Sequence, residues 1–279
     1  SGAAGVFRRG APDPARSMKI LSYGEIIWDC FPDSRCLGGA PLNFAVHAAR
    51  LGAESHLLSA VARGDTETLD AVRRTGVSTD LIQQVPFPTG YTNVTLDAAG
   101  NPTYEVITGV AWDNIPTPED VPVSWDAVYF GTLAQRSEPS ARTLETLLGR
   151  VQAREFFCDL NLRHRFWSDG CIDLCLRRAT LVKVNRHEYE ALPERIFEKY
   201  PQLRALLVTL DRDGAMLLLP DGRCLHSEKP RATVVSAVGA GDSFAAAFLV
   251  SWLRGGTPED CLAAGLALAD RIVGQLGAI

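Results

Sequence analysis

The residues best suited to chemistry lie in the run Val238-Gly239-Ala240-Gly241-Asp242-Ser243-Phe244. A strand-like stretch at Val234-Val235 leads into these small residues, and a helix is predicted to open at Ala240. Glycines let the backbone approach a ligand closely, and the free N–H groups of a helix start attract phosphate. Asp242 falls in the first turn of that helix. A carboxylate there can take a proton from a hydroxyl aligned against a phosphate. Phosphoryl transfer to an alcohol needs that pairing, a base on the acceptor and fixed dipoles on the developing charge. The alternative is a Gly-rich turn in which Asp242 only stabilises the helix start.

A second Gly-rich approach to a helix lies at Gly38-Gly39-Ala40-Pro41-Leu42-Asn43-Phe44-Ala45. Asn43 offers a donor and an acceptor near that helix start, which suits sugar hydroxyls. Asp29 follows the first predicted strand. Ionised, it only accepts, so it could bridge two neighbouring hydroxyls or be a solvated loop carboxylate.

The elements that must position these residues alternate between strand and helix. Lys19 to Gly24 reads as a buried strand, and Pro41 to Leu51 as a helix stopped at Gly52. Strands are predicted at 55–61, 127–130, 155–159, 181–184, 206–209 and 216–219. Helices are predicted at 68–74, 140–148, 240–253 and 261–276. Residues 90–110 read as a β-hairpin with a Gly-containing turn, set into this alternation as a flap. The order implies an α/β fold, a mostly parallel sheet with helices on both faces. Ligands in such sheets sit beyond the carboxyl ends of the strands.

The bulk composition narrows the function classes. The chain has 279 residues, a net charge of −5 and no basic surplus of the kind a nucleic-acid binder carries. No apolar run reaches the roughly 18 residues a membrane span needs. The seven cysteines are scattered without a Cys-x-x-Cys pair, which fits a reducing cytosol. Cys171 and Cys175 could share a helix face. The five histidines show no zinc-ligand spacing. Residues 1–17 read as an extension outside the fold, with Met18 the natural start of the domain at 18–279.

Together the two Gly-rich runs and Asp242 resemble the ribokinase-like (PfkB) carbohydrate kinases over nearly all of 18–279. Three further runs are similar to bacterial fructokinases: Ala111-Trp112-Asp113, Phe130 to Arg136, and Asp159-Leu160-Asn161-Leu162-Arg163. The resemblance implies a three-layer fold with a small β-hairpin lid at about 87–113, ATP and magnesium as partners, a cytoplasmic location and pairing of lids in a homodimer. It implies that Asp242 is the base and that Gly239, Ala240 and Gly241 hold the transferring phosphoryl group. Asp29, Gly39, Asn43 and Tyr104 would bind the sugar, Arg163 would reach the sugar or the phosphates, and Arg136 would bind the sugar or stand as a surface charge. Asn185, Glu188, Thr209, Gly214 and Gly241 would serve the nucleotide, with Glu188 reaching the metal through water.

The sequence departs from the family pattern in places. Ser236-Ala237 stands where an Asp-Thr pair is usual, which puts a monovalent-cation site in doubt. Leu210-Asp211 replaces Thr-x-Gly after Thr209. The chain also looks short at 63–67 and between Glu188 and Leu206.

Overall fold

The computed structural model describes residues 17–96, 102–163, 166–228, 238–273 and 278–279. Strand β1 (Lys19–Tyr23) is followed by β2 (Ile27–Cys30), β3 (Arg35–Gly38), α1 (Ala40–Arg50), β4 (Glu54–Ala62), α2 (Thr66–Arg74) and β5 (Ile82–Val85). Then come β6 (Tyr91–Leu96), β7 (Pro102–Val106), β8 (Ser124–Gly131), α3 (Glu138–Arg150), β9 (Gln152–Asp159), α4 (Asp169–Arg178) and β10 (Leu181–Asn185). Two short helices, α5 (Arg186–Glu190) and α6 (Ile196–Lys199), lead to β11 (Ala205–Thr209), β12 (Ala215–Leu218) and β13 (Cys224–Ser227). Helices α7 (Ala240–Leu253) and α8 (Pro258–Val273) complete the described elements.

Nine strands form the central sheet in the order β13-β12-β11-β10-β9-β8-β1-β4-β5. The run from β11 to β5 is parallel, and only β12 and β13 turn antiparallel. Both faces are buried, so the inner strands are apolar along their length rather than alternating. On β8, Val128 and Phe130 pack with α3, while Ala127 and Tyr129 pack with α1 and α7. The Phe44 ring on α1 stacks on Tyr129 with centroids 3.8 Å apart, fixing α1 across the sheet. Helix α7 is apolar nearly all round because it is wedged among the sheet, α1 and α8.

The expected hairpin is present as β6 and β7, with its turn outside the described residues. It does not stand alone. Strand β2 pairs parallel with β6 and antiparallel with β3, giving a four-stranded sheet β3-β2-β6-β7. The lid is thus a sheet, and Asp29 lies on β2 rather than in a loop. Both strands escape sequence reading because their residues are mixed in polarity and β3 ends at Gly38, beside the Gly39 that precedes α1. The two segments that look short are closed by compact elements. Asp65 caps α2 by accepting from the Thr68 N–H, and α5 and α6 fill 186–199. Residues 1–16, His164 and Ser236-Ala237 lie outside the described residues.

Candidate active site

A cleft of about 500 Å³ opens between the carboxyl ends of the central strands and the small sheet. Asp29 and Tyr104 from the small sheet face Asn43, Arg163, Gly239 and Asp242 from the large one. Gly39 and Gly241 also line the cleft, and Ala240 opens α7 beside them. Eight of the expected positions are therefore brought to one cleft by elements far apart in sequence.

Asp242 sits in the first turn of α7. Its Oδ2 accepts a 2.8 Å hydrogen bond from Asn43 Nδ2 on α1. Burial pushes its carboxyl up to about 6, and the nearby charge of Asp159 adds to that, against the Asn43 bond and the cations Lys183 and Arg163. A base with that pKa is ionised at neutral pH yet basic enough to receive a proton. Asn43 Oδ1 is buried with no hydrogen-bond partner among the described residues. A buried acceptor left open beside the base is poised for an incoming hydroxyl.

The glycines have geometric reasons. Gly39 precedes α1 with φ 108°, and a Cβ there would lie 2.6 Å from the Glu25 carbonyl oxygen. Gly239 has φ 79°, and a Cβ would meet Ala278 at 2.5 Å. Asp29 pairs across the small sheet with Thr92, whose hydroxyl hydrogen-bonds the carboxylate. Burial raises the Asp29 pKa and the Thr92 bond opposes it. Burial likewise raises the Tyr104 phenol, with Asp29 contributing.

Four polar residues of the cleft were not anticipated. Glu25, 4% exposed, accepts from the Ala40 N–H at 3.2 Å and is pushed up to about 7 by burial. Thr92 supports Asp29, and Asn161 lines the cleft with φ 41°. Lys183 reaches the cleft from β10. A charge inside an apolar strand run, as in Leu181-Val182-Lys183-Val184, is the signal that could have found it.

Arg136 corrects the sequence reading, because it neither lines this cleft nor sits on the surface. Its Nε donates to Asp113 Oδ1 at 2.7 Å, and Nη2 donates to Asp113 Oδ2 and the Ile107 carbonyl at 3.0 and 2.6 Å. The guanidinium lies 3.8 Å over the Trp112 ring. Asp113 also accepts from the Gly109 and Val110 N–H groups. The pair therefore fastens the segment leaving the small sheet to the large one.

The remaining expected residues gather one step along the sheet. Asn185 and Thr209 are register partners at the carboxyl ends of β10 and β11, and Gly214 turns the chain into β12 with φ 89°. Glu188 Oε2 and Oε1 accept from the N–H groups of Asn185 and Leu162 at 2.9 and 2.7 Å, and the Asn185 side chain caps α5. Burial raises the Glu188 pKa. No cluster of three acidic, His or Cys side chains that could hold a metal occurs among the described residues. A lone carboxylate of this kind would suit magnesium only as a largely hydrated ion, met through its waters. No helix among the described residues is long and apolar enough to cross a membrane.

The pfkB family carbohydrate kinase model matches residues 18–279. Fructokinase from Klebsiella pneumoniae is 28% identical over 285 residues, covering 90% of this chain and 91% of that protein. A double-mutant fructokinase from Vibrio cholerae O395, in its fructose-, ADP- and potassium-bound form, superposes with a TM-score of 0.81 at 20% identity over 94% of each chain. Aminoimidazole riboside kinase from Salmonella enterica, complexed with aminoimidazole riboside and an ATP analogue, gives 0.78 at 21% identity, over 93% of this chain and 95% of that one.

Proposed function

Because the chain belongs to the pfkB family of carbohydrate kinases, we propose that it moves the γ-phosphoryl group of ATP to a sugar hydroxyl, with fructose the leading acceptor. One observation carries the reading. The half-buried Asp242 carboxylate, held by Asn43, stands between the Gly239–Gly241 turn and the polar side chains of the small sheet.

In the proposed reaction Asp29, Asn43 and Arg163 hold the acceptor hydroxyls, and Tyr104 covers the sugar from the small sheet. Asp242 takes the proton of the reacting hydroxyl. The N–H groups of Gly239, Ala240 and Gly241 face the phosphoryl group, where fixed dipoles stabilise developing charge. Asn185, Thr209 and Gly214 hold the nucleotide. Magnesium, when bound with ATP, would screen the phosphate charges. The chain has Ser236-Ala237 in place of the family's Asp-Thr, which puts potassium activation in doubt. ATP as donor fits a cytoplasmic location, and the small sheet is the surface through which a homodimer would form.

Fructose leads because the fructokinase relative aligns across nearly the whole chain. A riboside is the second acceptor class, from the likeness to the riboside kinase structure. A coupled assay of ADP release tests both, with magnesium and ATP over fructose, ribose, 2-keto-3-deoxygluconate and nucleosides. Fructose should give the highest kcat/KM. A higher value with a riboside would replace fructose, and no turnover with any acceptor would overturn the reading.

A further inference from the structure

Strand β10 runs Leu181-Val182-Lys183-Val184-Asn185, and Lys183 is the cation in an otherwise apolar stretch. Leu181 packs in the layer beneath α7, and Lys183, two residues on, faces the same way. Its side chain is 8% exposed, and Nζ forms a 2.7 Å ion pair with Asp159 Oδ2 at the end of β9. The Tyr129 hydroxyl donates to the same oxygen at 3.1 Å. Desolvation of the ammonium is outweighed by Asp159, so the lysine pKa lies above its ordinary value and the charge is retained.

A buried ion pair is a poor source of stability, because desolvation offsets the attraction. The position of this one suggests another use. The ammonium lies beneath the Gly239–Gly241 turn, and a Cβ on Gly241 would stand 3.2 Å from Nζ. Lys183 lines the same cleft as Asp242 and is close enough to favour its ionised form. Asp159 takes one of three ammonium donors. The structure thus fixes a positive charge where the base meets the anion-binding turn.

Resting on the phosphoryl-transfer reading above, we propose that Lys183 is a catalytic residue, clamped by Asp159 so that its ammonium contacts the phosphoryl group in transit. The acceptor oxygen forms its bond to the γ-phosphorus as the bond to the ADP oxygen breaks. The hydroxyl proton passes to Asp242 and the bonding electron pair leaves with ADP. Lys183 keeps its proton and meets the negative charge on the transferred oxygens.

Two variants test this, Lys183→Met and the double variant Asp159→Asn with Lys183→Met, which strands no buried carboxylate. Calorimetry compares ADP with the non-hydrolysable analogue AMP-PNP, without sugar. ADP affinity should be retained, while AMP-PNP affinity falls about tenfold or more, the range for a charged hydrogen bond. With the acceptor that the parent enzyme turns over, kcat should fall about 10²–10³-fold. AMP-PNP binding weakened no more than ADP binding, or an unchanged kcat, overturns the role. A parent enzyme that turns over no acceptor defeats the sugar-kinase reading instead, and the nucleotide comparison still decides on Lys183.

Discussion

Asn43 Nδ2 donates to Asp242 Oδ2 at 2.8 Å, joining the starts of α1 and α7 across 199 residues of sequence. The bond makes one side chain responsible for two things. Its nitrogen holds the Asp242 carboxylate and favours the ionised form, while its unpaired oxygen would meet the proposed acceptor. Asn43→Ala should therefore raise KM for the sugar and move the acid limb of kcat/KM upward from about 6, by about one pH unit. A pH–rate profile measures both. A limb that stays in place would limit Asn43 to the acceptor.

Asp242→Asn should lower kcat by roughly 10²–10⁴-fold, the range for a general base. It should also stabilise the fold. The Asp242 pKa is raised by folding from its ordinary 3.8 to about 6, so the fold favours the neutral form and ionisation costs stability as pH rises through that window. The neutral variant should gain up to about 3 kcal/mol at pH 8. That gain should shrink as pH falls from about 6 toward the ordinary value. Urea unfolding at several pH values is the check, and a gain independent of pH would contradict the assignment.

Arg136→Met should act on stability rather than on substrate affinity. The ion pair with Asp113 is nearly dry, with the two side chains 4% and 7% exposed. Removing one partner strands the other, at a cost of about 3–5 kcal/mol. Thermal unfolding should show a large fall in Tm. KM values in the folded fraction should be little changed, and a large KM effect with normal stability would restore Arg136 to the sugar site.

Gly39→Ala should damage both folding and turnover. The backbone there has φ 108°, and the new methyl carbon would press on the Glu25 carbonyl at 2.6 Å. A strained residue of this kind costs about 1–3 kcal/mol. Relief of the clash must move the start of α1, and with it Asn43. Circular dichroism melts paired with kcat/KM would show the two losses together, and full activity would show the turn to be tolerant.

The parts legible in the sequence were those governed by local rules. Gly239, Gly241 and Asp242 announce a helix start suited to an anion, and Gly39 and Asn43 do the same at α1. Apolar runs and helix stops located most of the central layers. Lys183 was legible only as a charge inside an apolar strand and Glu25 not at all, because their roles depend on partners that only the fold supplies: Asp159 at 24 residues for one, the Ala40 N–H at 15 for the other. The pairing of Arg136 was hidden for the same reason, since Asp113 is 23 residues away and nothing between them signals a pair. The small sheet was half seen, because the mixed residues of β2 form a strand only once β6 offers an edge, and β3 then pairs with β2.

Asp29, Thr92 and Tyr104 all belong to the small sheet, while Lys183 belongs to the large one and Asp242 and the Gly239–Gly241 turn to the start of α7. This partition bears on how such a protein can change over evolutionary time. Under the proposed function, substitutions on β2, β6 and β7 would alter which acceptor is held while leaving Asp242 and the Gly239–Gly241 turn in place.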